Sequence, residues 1–183
     1  MPDYTTLAAV KAYLKSTAAT SDALLSTLIT NCSDVIDAYC NREKGFLQAD
    51  YVEPRDGNGG RQMALRYGPI ATVASVVVNG RALPAGSVTQ PGFYWADNRV
   101  ILNGYVFVPG LGNVVISYSA GWPSLRPSLV QAATEYVAYV YKSSDHIALA
   151  SLSGAGETTA YLTAAMPDGV KSVLNQFRRV VPV

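Results

Sequence analysis

The strongest constraint on the fold is a long run of apolar residues at helical spacing near the start of the chain. Between Ser21 and Gly45 an apolar side chain recurs every three or four positions, which predicts one amphipathic helix of about five turns. Thr20 or Ser21 is the expected N-cap, and Gly45 marks the expected end. A stripe this wide must be covered by other helices. Its members are Leu24, Leu25, Leu28, Ile29, Cys32, Val35, Ile36, Tyr39 and Cys40.

Other helical segments at the two ends of the chain can provide that cover. Thr5 or Thr6 is the expected cap of a first short helix. Pro127 stands near the start of a third helix, where its missing N–H costs nothing. Pro167 and Asp168 begin a short final helix. The apolar positions of these segments are Leu7, Val10, Tyr13 and Leu14; Leu129, Ala132, Ala133, Tyr136, Val137, Val140 and Tyr141; and Val170, Val173, Leu174 and Phe177.

The middle of the chain changes to short β-branched and aromatic runs separated by turn residues. Tyr51–Arg55 is an expected edge strand, because Pro54 has no N–H to donate to a neighbouring strand. Asn79-Gly80 predicts a two-residue hairpin turn, and Asp97-Asn98 predicts another turn. Several short strands with turns between them predict a small antiparallel sheet or barrel.

Together these segments predict an α+β fold. A small bundle of about four helices is expected from both chain ends, residues 1–45 and 122–183. An antiparallel β module, residues 46–121, is inserted between them. Neither helical block can bury its stripe alone, so helices from the two ends are expected to pack on each other.

The composition favours a subunit that is covered by neighbours. Of the 183 residues, 49% are hydrophobic and 15% are charged, whereas a typical soluble domain carries about 25% charged residues. A compact monomer rich in Tyr and Ala is the alternative. The net charge of +1 argues against a protein that grips nucleic acid, because neutralising phosphates needs a basic stripe. Arg178 and Arg179 are the only adjacent basic pair, so DNA can pass without being held.

The two cysteines, Cys32 and Cys40, are expected to be free thiols. On one helix their Cα atoms lie roughly 12 Å apart, beyond the reach of a disulfide. Free buried thiols are typical of a reducing cytosol. The N-terminus has neither the basic nor the apolar region of a signal peptide, and no run approaches the ~20 apolar residues of a membrane span. We expect a soluble protein made in the cytoplasm, with no membrane partner.

The motifs that suggest catalysis, a metal or a cofactor are all incomplete. Asp56–Gly60 spaces oxygen ligands as a calcium loop does, but Tyr67 stands where such a loop needs a bidentate Glu, so a glycine-rich turn is expected. Gly154–Gly156 lacks the preceding strand and the Lys-Ser/Thr pair of a phosphate loop. Asp145 and the single histidine, His146, have no nucleophile elbow to complete a triad. We predict no enzyme, no metal and no cofactor. A hydrolase built around His146 is kept as a hypothesis to be tested against the other functions considered below.

Aromatic residues cluster in the β block and leave an alternative function open. If buried, they form the core of a small sheet, which is the ordinary role of such residues. If exposed, they can stack on sugars or on a protein partner. The alternative function is therefore a module that binds carbohydrate or a host surface. The residues are Phe93, Tyr94, Trp95, Tyr105, Phe107 and Trp122.

Several short motifs follow one another in a distinctive order. They are Tyr4–Leu7 with Val10–Leu14, Asp22–Leu25 with Ile36–Arg42, Leu65–Ile70 with Val73–Val76, Tyr118–Pro123 before an Ala-rich helix, and Gly154–Glu157 ahead of Tyr161 with Val173–Arg179. In this order and spacing they resemble the head–tail connector (adaptor) family of tailed bacteriophages. The resemblance covers most of the chain, although the block 46–121 is longer than a minimal adaptor needs.

The resemblance implies a structural virion protein without catalytic activity, made in the host cytoplasm and located in the neck, at the head–tail junction. It implies a ring, typically of about twelve copies, that binds beneath the portal protein and joins the capsid to the tail. The next tail or neck component is a further implied partner. DNA would pass through the lumen of the ring without specific binding.

The resemblance also implies two contact regions. The carboxy-terminal segment is the expected portal contact, with a frayed terminus as the alternative. The loop at 143–161 is expected to be mobile and to contact a neighbouring copy or the next tail component. The portal contact comprises Phe177, Arg178, Arg179, Val180 and Val183. The second region comprises Ser153, Gly154, Gly156, Glu157 and Tyr161.

Overall fold

A computed structural model of the chain describes residues 2–144, 151–154, 157–160 and 166–179. Helices lie towards both ends of the chain and antiparallel sheets lie in the middle, which confirms the predicted α+β class. The chain divides into two compact units. The helical unit comprises Met1–Gly45 and Leu125–Val183, and the β unit comprises Phe46–Ser124.

In the helical unit, the third of the four described helices contacts the other three. The helices are α1 (Leu7–Leu14), α2 (Asp22–Tyr39), α3 (Pro127–Ser144) and α4 (Asp168–Asn175). α3 contacts α1, α2 and α4. Thr6 caps α1, since its Oγ1 accepts a hydrogen bond from the N–H of Ala9 at 3.2 Å. Ser21 occupies the N-cap position of α2, so the predicted starts of both helices are confirmed.

The buried face of α2 is narrower than the predicted stripe. Val10 of α1, Leu25, Ile29 and Cys32 of α2, and Val137 of α3 form one buried cluster. Leu24 and Val35, which the spacing also assigned to the buried stripe, are 49% and 43% exposed. The prediction was wrong for these two residues, because the helices packed on α2 cover one sector of its surface and periodicity does not fix how wide that sector is.

The β unit contains two antiparallel sheets. Its strands are β1 (Ala49–Gly57), β2 (Gln62–Ala64), β3 (Ile70–Val78), β4 (Arg81–Ala82), β5 (Gly92–Ala96), β6 (Arg99–Asn103) and β7 (Gly110–Ala120). The first sheet has the order β1-β7-β3-β4 and the second has the order β2-β6-β5. β1 therefore lies at a sheet edge, as Pro54 predicted. The long strand β7 pairs with β1 on one side and β3 on the other.

The turns and the core of the β unit follow its sequence pattern. Asn79 and Gly80 join β3 to β4 with φ angles of 51° and 75°, the left-handed pair that a two-residue hairpin turn requires. Both sheets contribute to one buried cluster, which includes Ile116 of β7 and Val100 of β6. The fully buried Phe107 belongs to the same cluster.

A short hairpin replaces part of the loop expected in the third block. β8 (Ser151–Gly154) pairs antiparallel with β9 (Glu157–Ala160). The expectation of a loop is wrong at these paired positions, because pairing satisfies backbone N–H and C=O groups that a loop would leave to water. Within the described residues, no helix combines the length and apolarity that crossing a membrane needs.

Candidate functional site

A polar cleft of about 550 Å³ lies at the carboxy-terminal end of α2. α2 contributes acidic residues from its last two turns, the loop after α2 contributes polar and charged residues, and the segment after α4 contributes an arginine. The cleft lies within the helical unit. Its lining residues are Asp34, Asp37, Ala38, Asn41, Arg42, Glu43 and Arg179.

The end of α2 is shaped by a Schellman-type cap. Cys40 is the C-cap, and Asn41 follows in the left-handed region with a φ of 55°. The N–H of Arg42 donates to the carbonyl of Asp37 at 2.9 Å, and that of Asn41 donates to the carbonyl of Ala38 at 3.2 Å. These two bonds satisfy carbonyls that a helix end otherwise leaves unpaired. The cap turns the chain so that Asn41 and Arg42 line the cleft.

The carboxy-terminal segment is bonded to this same helix end. The N–H of Arg179 donates to the carbonyl of Cys40 at 3.0 Å. Asn41 Nδ2 donates to the carbonyl of Arg179 at 3.1 Å, and Arg42 Nε donates to the carbonyl of Phe177 at 3.1 Å. The chain up to Arg179 is therefore part of the folded helical unit rather than a frayed terminus.

The amino-terminal segment reaches α2 next to the cleft. Tyr4 is 1% exposed; its N–H donates to Ser33 Oγ at 3.1 Å, and its hydroxyl donates to Asp37 Oδ1. Gly45, which has a φ of 75°, packs so closely that a Cβ there would lie 2.6 Å from the Tyr4 hydroxyl. Only glycine fits this position, because both the backbone conformation and the space exclude a side chain.

Asp37 is the most perturbed carboxyl group of the cleft. Its side chain is buried, and Oδ2 accepts no hydrogen bond from the described residues. Burial raises the pKa of Asp37 to about 6. The hydrogen bond from Tyr4 and the positive charges of the amino terminus and Arg42 oppose that rise in pKa, while the charge of Asp34 adds to it. The negative charge of Asp37 is therefore only partly balanced by the groups around it in its own subunit.

The predicted portal-contact residues occupy different environments. The Phe177 side chain is buried within the subunit, and its assignment as a portal-contact residue stays a prediction. Arg178 is exposed, and its guanidinium lies 5.4 Å from the centroid of the Tyr39 ring. Arg179 lines the cleft. Val180 and Val183 lie outside the described residues.

The second predicted contact region is described in part. Ser153 and Gly154 lie on β8, and Glu157 begins β9. Gly156 and Tyr161 lie outside the described residues, as does His146, the centre of the hydrolase hypothesis. The structure thus brings together Arg178, Arg179 and the end of α2, and it describes no contact between that site and the hairpin.

The β unit contains a second buried carboxylate, Glu53 on the edge strand β1. Glu53 Oε2 accepts hydrogen bonds from the Tyr118 hydroxyl at 2.6 Å and from the N–H of Arg66 at 3.2 Å. Glu53 Oε1 forms an ion pair with Arg55 at 3.2 Å. Burial, together with the hydrogen bond to Glu53 and its charge, raises the pKa of Tyr118 above its ordinary value. The Tyr118 ring stacks on Tyr51 with centroids 5.6 Å apart.

The remaining candidates for a binding site are the aromatic residues of the β unit and the turn Asp56–Gly60. Phe93 and Phe107 are buried in the β unit, whereas Trp95 is 39% exposed. Asp56 Oδ1 accepts a hydrogen bond from the N–H of Gly112 at 2.6 Å. This carboxylate of the incomplete calcium-loop motif therefore stabilises a neighbouring turn. Within the described part of the chain, no group of three or more His, Cys, Asp or Glu side chains is arranged to hold a metal ion.

Both cysteines are buried free thiols. Burial raises the pKa of the Cys32 thiol and of the Cys40 thiol to about 11. The thiolate, which is the nucleophilic form, is therefore scarce near neutral pH. Neither cysteine offers a reactive group to the cleft.

Sequence reasoning missed the two buried carboxylates and their tyrosine partners. Asp37 follows Ser33 by four positions on the flank of the apolar stripe, so polar residues at helical spacing beside buried ones were the available signal. Glu53 alternates with exposed neighbours on β1, which places it on the inward face of the strand. The tyrosine partners, Tyr4 and Tyr118, are distant in sequence and left no local signal.

Comparisons with known proteins show which family the sequence matches and which solved structures have a similar fold. The sequence matches the model of the family described as HCP: Head completion protein over residues 3–180. The fold is similar to a chain in the structure of the neck of an empty GTA particle computed with C6 symmetry, with a TM-score of 0.57 and 22% identity over 97% of this chain and 90% of that chain. A chain in the virion of the native gene transfer agent (GTA) particle gives a TM-score of 0.54 and 19% identity over the same shares. No curated protein sequence matches the chain.

Proposed function

This chain belongs to the head completion protein family, and from that membership we propose that it is a structural protein of the neck that joins the head of a tailed-phage particle to its tail. The match over residues 3–180 carries the proposal. The fold found in the neck of a gene transfer agent particle supports it. In this role the protein works by shape and contact, without catalysis, cofactor or metal, and it resides in the virion neck after synthesis in the host cytoplasm.

The neck role calls for a ring of identical copies around the path of the DNA. A ring needs two different surfaces on each subunit, because each copy meets one neighbour on either side. A charged fraction of only 15% is consistent with a surface largely covered by neighbours. The neck structure that contains a similar chain was computed with C6 symmetry. A ring of about twelve copies and a ring of six copies both contain a sixfold axis. Measuring the mass of the assembly distinguishes the two.

DNA passes through the ring in this proposal without being bound. A net charge of +1 supports this, because a lumen lined with Lys and Arg would hold DNA by releasing counterions. The portal protein lies above the ring, and the next neck or tail component lies below it. The β8–β9 hairpin, with Ser153, Gly154 and Glu157, is the proposed contact to a neighbour or to that next component.

The portal contact is proposed for the end of the carboxy-terminal segment. Phe177 and the backbone bonds of Arg179 anchor the segment to α2. Arg178, Arg179 and the residues that follow, including Val180 and Val183, are the proposed contact.

Electron microscopy of the purified full chain, alone and with purified portal rings, tests the proposal. We expect rings, or rings that form on the portal, and native mass spectrometry gives their copy number. A chain that stays monomeric and fails to bind the portal at assembly concentrations would contradict the neck role.

Truncation after Arg179 tests the portal contact without disturbing the fold. The truncated chain keeps Phe177 and every described hydrogen bond of the segment, so its helical content should be unchanged. We expect it to lose portal docking, and Arg178→Glu to weaken docking as well. Arg99→Glu, a charge reversal at an exposed residue of the β unit, is the matched control. Normal docking by the truncated chain would rule out the terminal contact.

One observation keeps the alternative function testable. Trp95 is exposed on β5 next to the β5–β6 turn, and an exposed tryptophan can stack on a sugar. A glycan-binding module would lose glycan binding on Trp95→Ala while still assembling. Family membership favours the structural role over this one.

A further inference from the structure

The cleft at the end of α2 has an excess of negative charge that its own helix does not correct. Asp34 and Asp37 lie in the last two turns of α2, and the last turn carries no basic residue. A helix carboxy terminus adds roughly half a negative elementary charge. Two carboxylates at this end therefore create a field that attracts a cation.

The contacts of the buried Asp37 show in addition that one of its oxygens is unused. It is 2% exposed, it lines the cleft, and its Oδ2 accepts no hydrogen bond from the described residues. Tyr4 engages only Oδ1. Buried carboxylate oxygens in native proteins are nearly always paired, because an unpaired buried acceptor costs free energy. The positive charges of the amino terminus and Arg42 also act on Asp37, and its pKa stays raised in spite of them.

We propose that the cleft receives an arginine or lysine side chain of the portal protein, which docks beside Asp34 and Asp37. A guanidinium or ammonium group carries several N–H donors and no acceptor, so it complements both carboxylates and the helix end. The inference rests on the proposed portal contact, because Arg179, at the root of the proposed contact segment, lines this cleft.

The other charges of the cleft favour a single basic side chain over other ligands. Arg42 and Arg179 also line the cleft, and their positive charge opposes a divalent ion more strongly than a monovalent group. Asp34, Asp37 and Glu43 oppose a phosphate of nucleic acid in the same way. A protein side chain with one positive charge is the ligand that this balance accepts.

The proposal separates the stability of the subunit from its docking. Asp37→Asn removes the charge but keeps the size and an oxygen that can accept the Tyr4 hydrogen bond. The variant should fold at least as stably as the native chain and yet dock more weakly. A purely structural Asp37 would behave differently, since its loss would lower stability and docking together.

The experiment measures the dissociation constant of the full chain for purified portal rings from the same particle. We expect Asp37→Asn and the exposed-site variant Asp34→Asn each to weaken docking by about tenfold or more, with a smaller salt dependence. Asp97→Asn removes the same charge from an exposed turn of the β unit, and it should dock as the native chain does.

Each contrary outcome identifies what has failed. If truncation after Arg179 abolishes docking while both cleft variants dock normally, the cleft inference is wrong and the terminal contact stands. If the cleft variants dock normally but no longer form rings, the occupant is a second copy of this chain and the inference is again wrong. If neither the truncation nor the cleft variants affect docking, the portal contact itself is overturned. A loss of both stability and docking in Asp37→Asn, with normal docking of Asp34→Asn, would show a structural role only.

Discussion

Among the residues whose burial is described, each unit buries one carboxylate, and the two carboxylates have different surroundings. Glu53 in the β unit has one oxygen bonded to the Tyr118 hydroxyl and the N–H of Arg66. Its other oxygen accepts no hydrogen bond from the described residues, but it forms ion pairs with the guanidinium groups of Arg55 at 3.2 Å and Arg66 at 3.7 Å. Asp37 in the helical unit has one oxygen bonded to Tyr4 and one without a hydrogen bond from the described residues. Burial raises the pKa of Asp37 to about 6.

This difference suggests that the two buried charges have different roles. A buried carboxylate whose charge is balanced by neighbouring arginines stabilises the packing around it, and removing it leaves those charges and its hydrogen-bond donors unpaired. A buried carboxylate with an unused oxygen costs stability in the free subunit. A group that lowers stability in this way is retained in evolution where it serves a function. We therefore assign Glu53 to the fold of the β unit and Asp37 to an interaction of the helical unit.

The largest expected effect comes from placing a third carboxylate where no donor exists. Ile29 is 3% exposed in the core of the helical unit, and Ile29→Asp should lower the free energy of unfolding by more than about 3 kcal/mol. Leu28→Asp, one position earlier and only partly buried, should cost less, because its carboxylate can reach water. Denaturant titration followed by circular dichroism measures both. A fully stable Ile29→Asp would show the core assignment to be wrong.

Removing the satisfied carboxylate should be the next largest effect. Glu53→Ala leaves the Tyr118 hydroxyl and the N–H of Arg66 without their acceptor and removes the ion-pair partner of Arg55. It should destabilise the chain by about 3 kcal/mol. Tyr118→Phe removes one hydrogen bond and should cost about 1 kcal/mol. The double variant should cost less than the sum, since both changes remove the same contact. Additive losses would show that Glu53 and Tyr118 are not coupled.

Removing the unsatisfied carboxylate should have the opposite sign. Asp37→Asn should raise the stability of the free chain at neutral pH by about 1 kcal/mol, because the unfavourable buried charge is gone. The pKa of Asp37 is raised from 3.8 to about 6 in the folded chain, so the folded state binds a proton more readily than the unfolded state. The stability contributed by protonated Asp37 is present below about pH 4 and is lost as the pH rises through about 6.

Unfolding measured across this pH range compares the native chain with Asp37→Asn. The gap in favour of the variant should widen as the pH rises from about 4 to above 6. A gap that stays constant would mean that Asp37 is compensated in the folded chain, which would erase the contrast with Glu53.

The smallest expected effect on stability comes from the exposed Arg178, which contacts the Tyr39 ring. Arg178→Ala removes a cation–π contact with the Tyr39 ring at 5.4 Å, and an exposed contact of this kind is worth about 0.5 kcal/mol. Thermal unfolding should change little, whereas portal docking should weaken, since Arg178 belongs to the proposed contact. A large loss of stability would place Arg178 in the fold of the helical unit instead.

Local chemistry made much of the fold predictable. The Thr6 cap, the Ser21 start, the Asn79-Gly80 turn and the edge position of the strand that contains Pro54 were all confirmed, because each depends on residues a few positions apart. The predicted burial of Leu24 and Val35 was wrong, as was the expectation of a loop at Ser151–Gly154 and Glu157–Ala160, which are strands. These depend on which surfaces meet and which strands pair, and periodicity does not specify either.

The candidate site was accessible to sequence reasoning only in part. The basic pair Arg178 and Arg179 was visible as a pair and was assigned to a contact through a family resemblance. Asp34 and Asp37 appeared as ordinary helix positions. Phe177 was assigned to the contact region, and its sequence position did not reveal that its side chain is buried in the subunit. No spacing rule connects Tyr4 to Asp37, so the cleft could not be assembled from the sequence.

The sequence by itself determined the helices, the strands, their turns and the order of the parts, because hydrophobic period, capping and turn preference act between near neighbours. The tertiary structure alone decided which oxygens of the buried carboxylates are satisfied. Tyr4 with Asp37 and Glu53 with Tyr118 are pairs of residues that lie 33 and 65 positions apart. Such pairs meet only when distant segments fold together, and the cost of an unused oxygen arises only once water has been excluded from it.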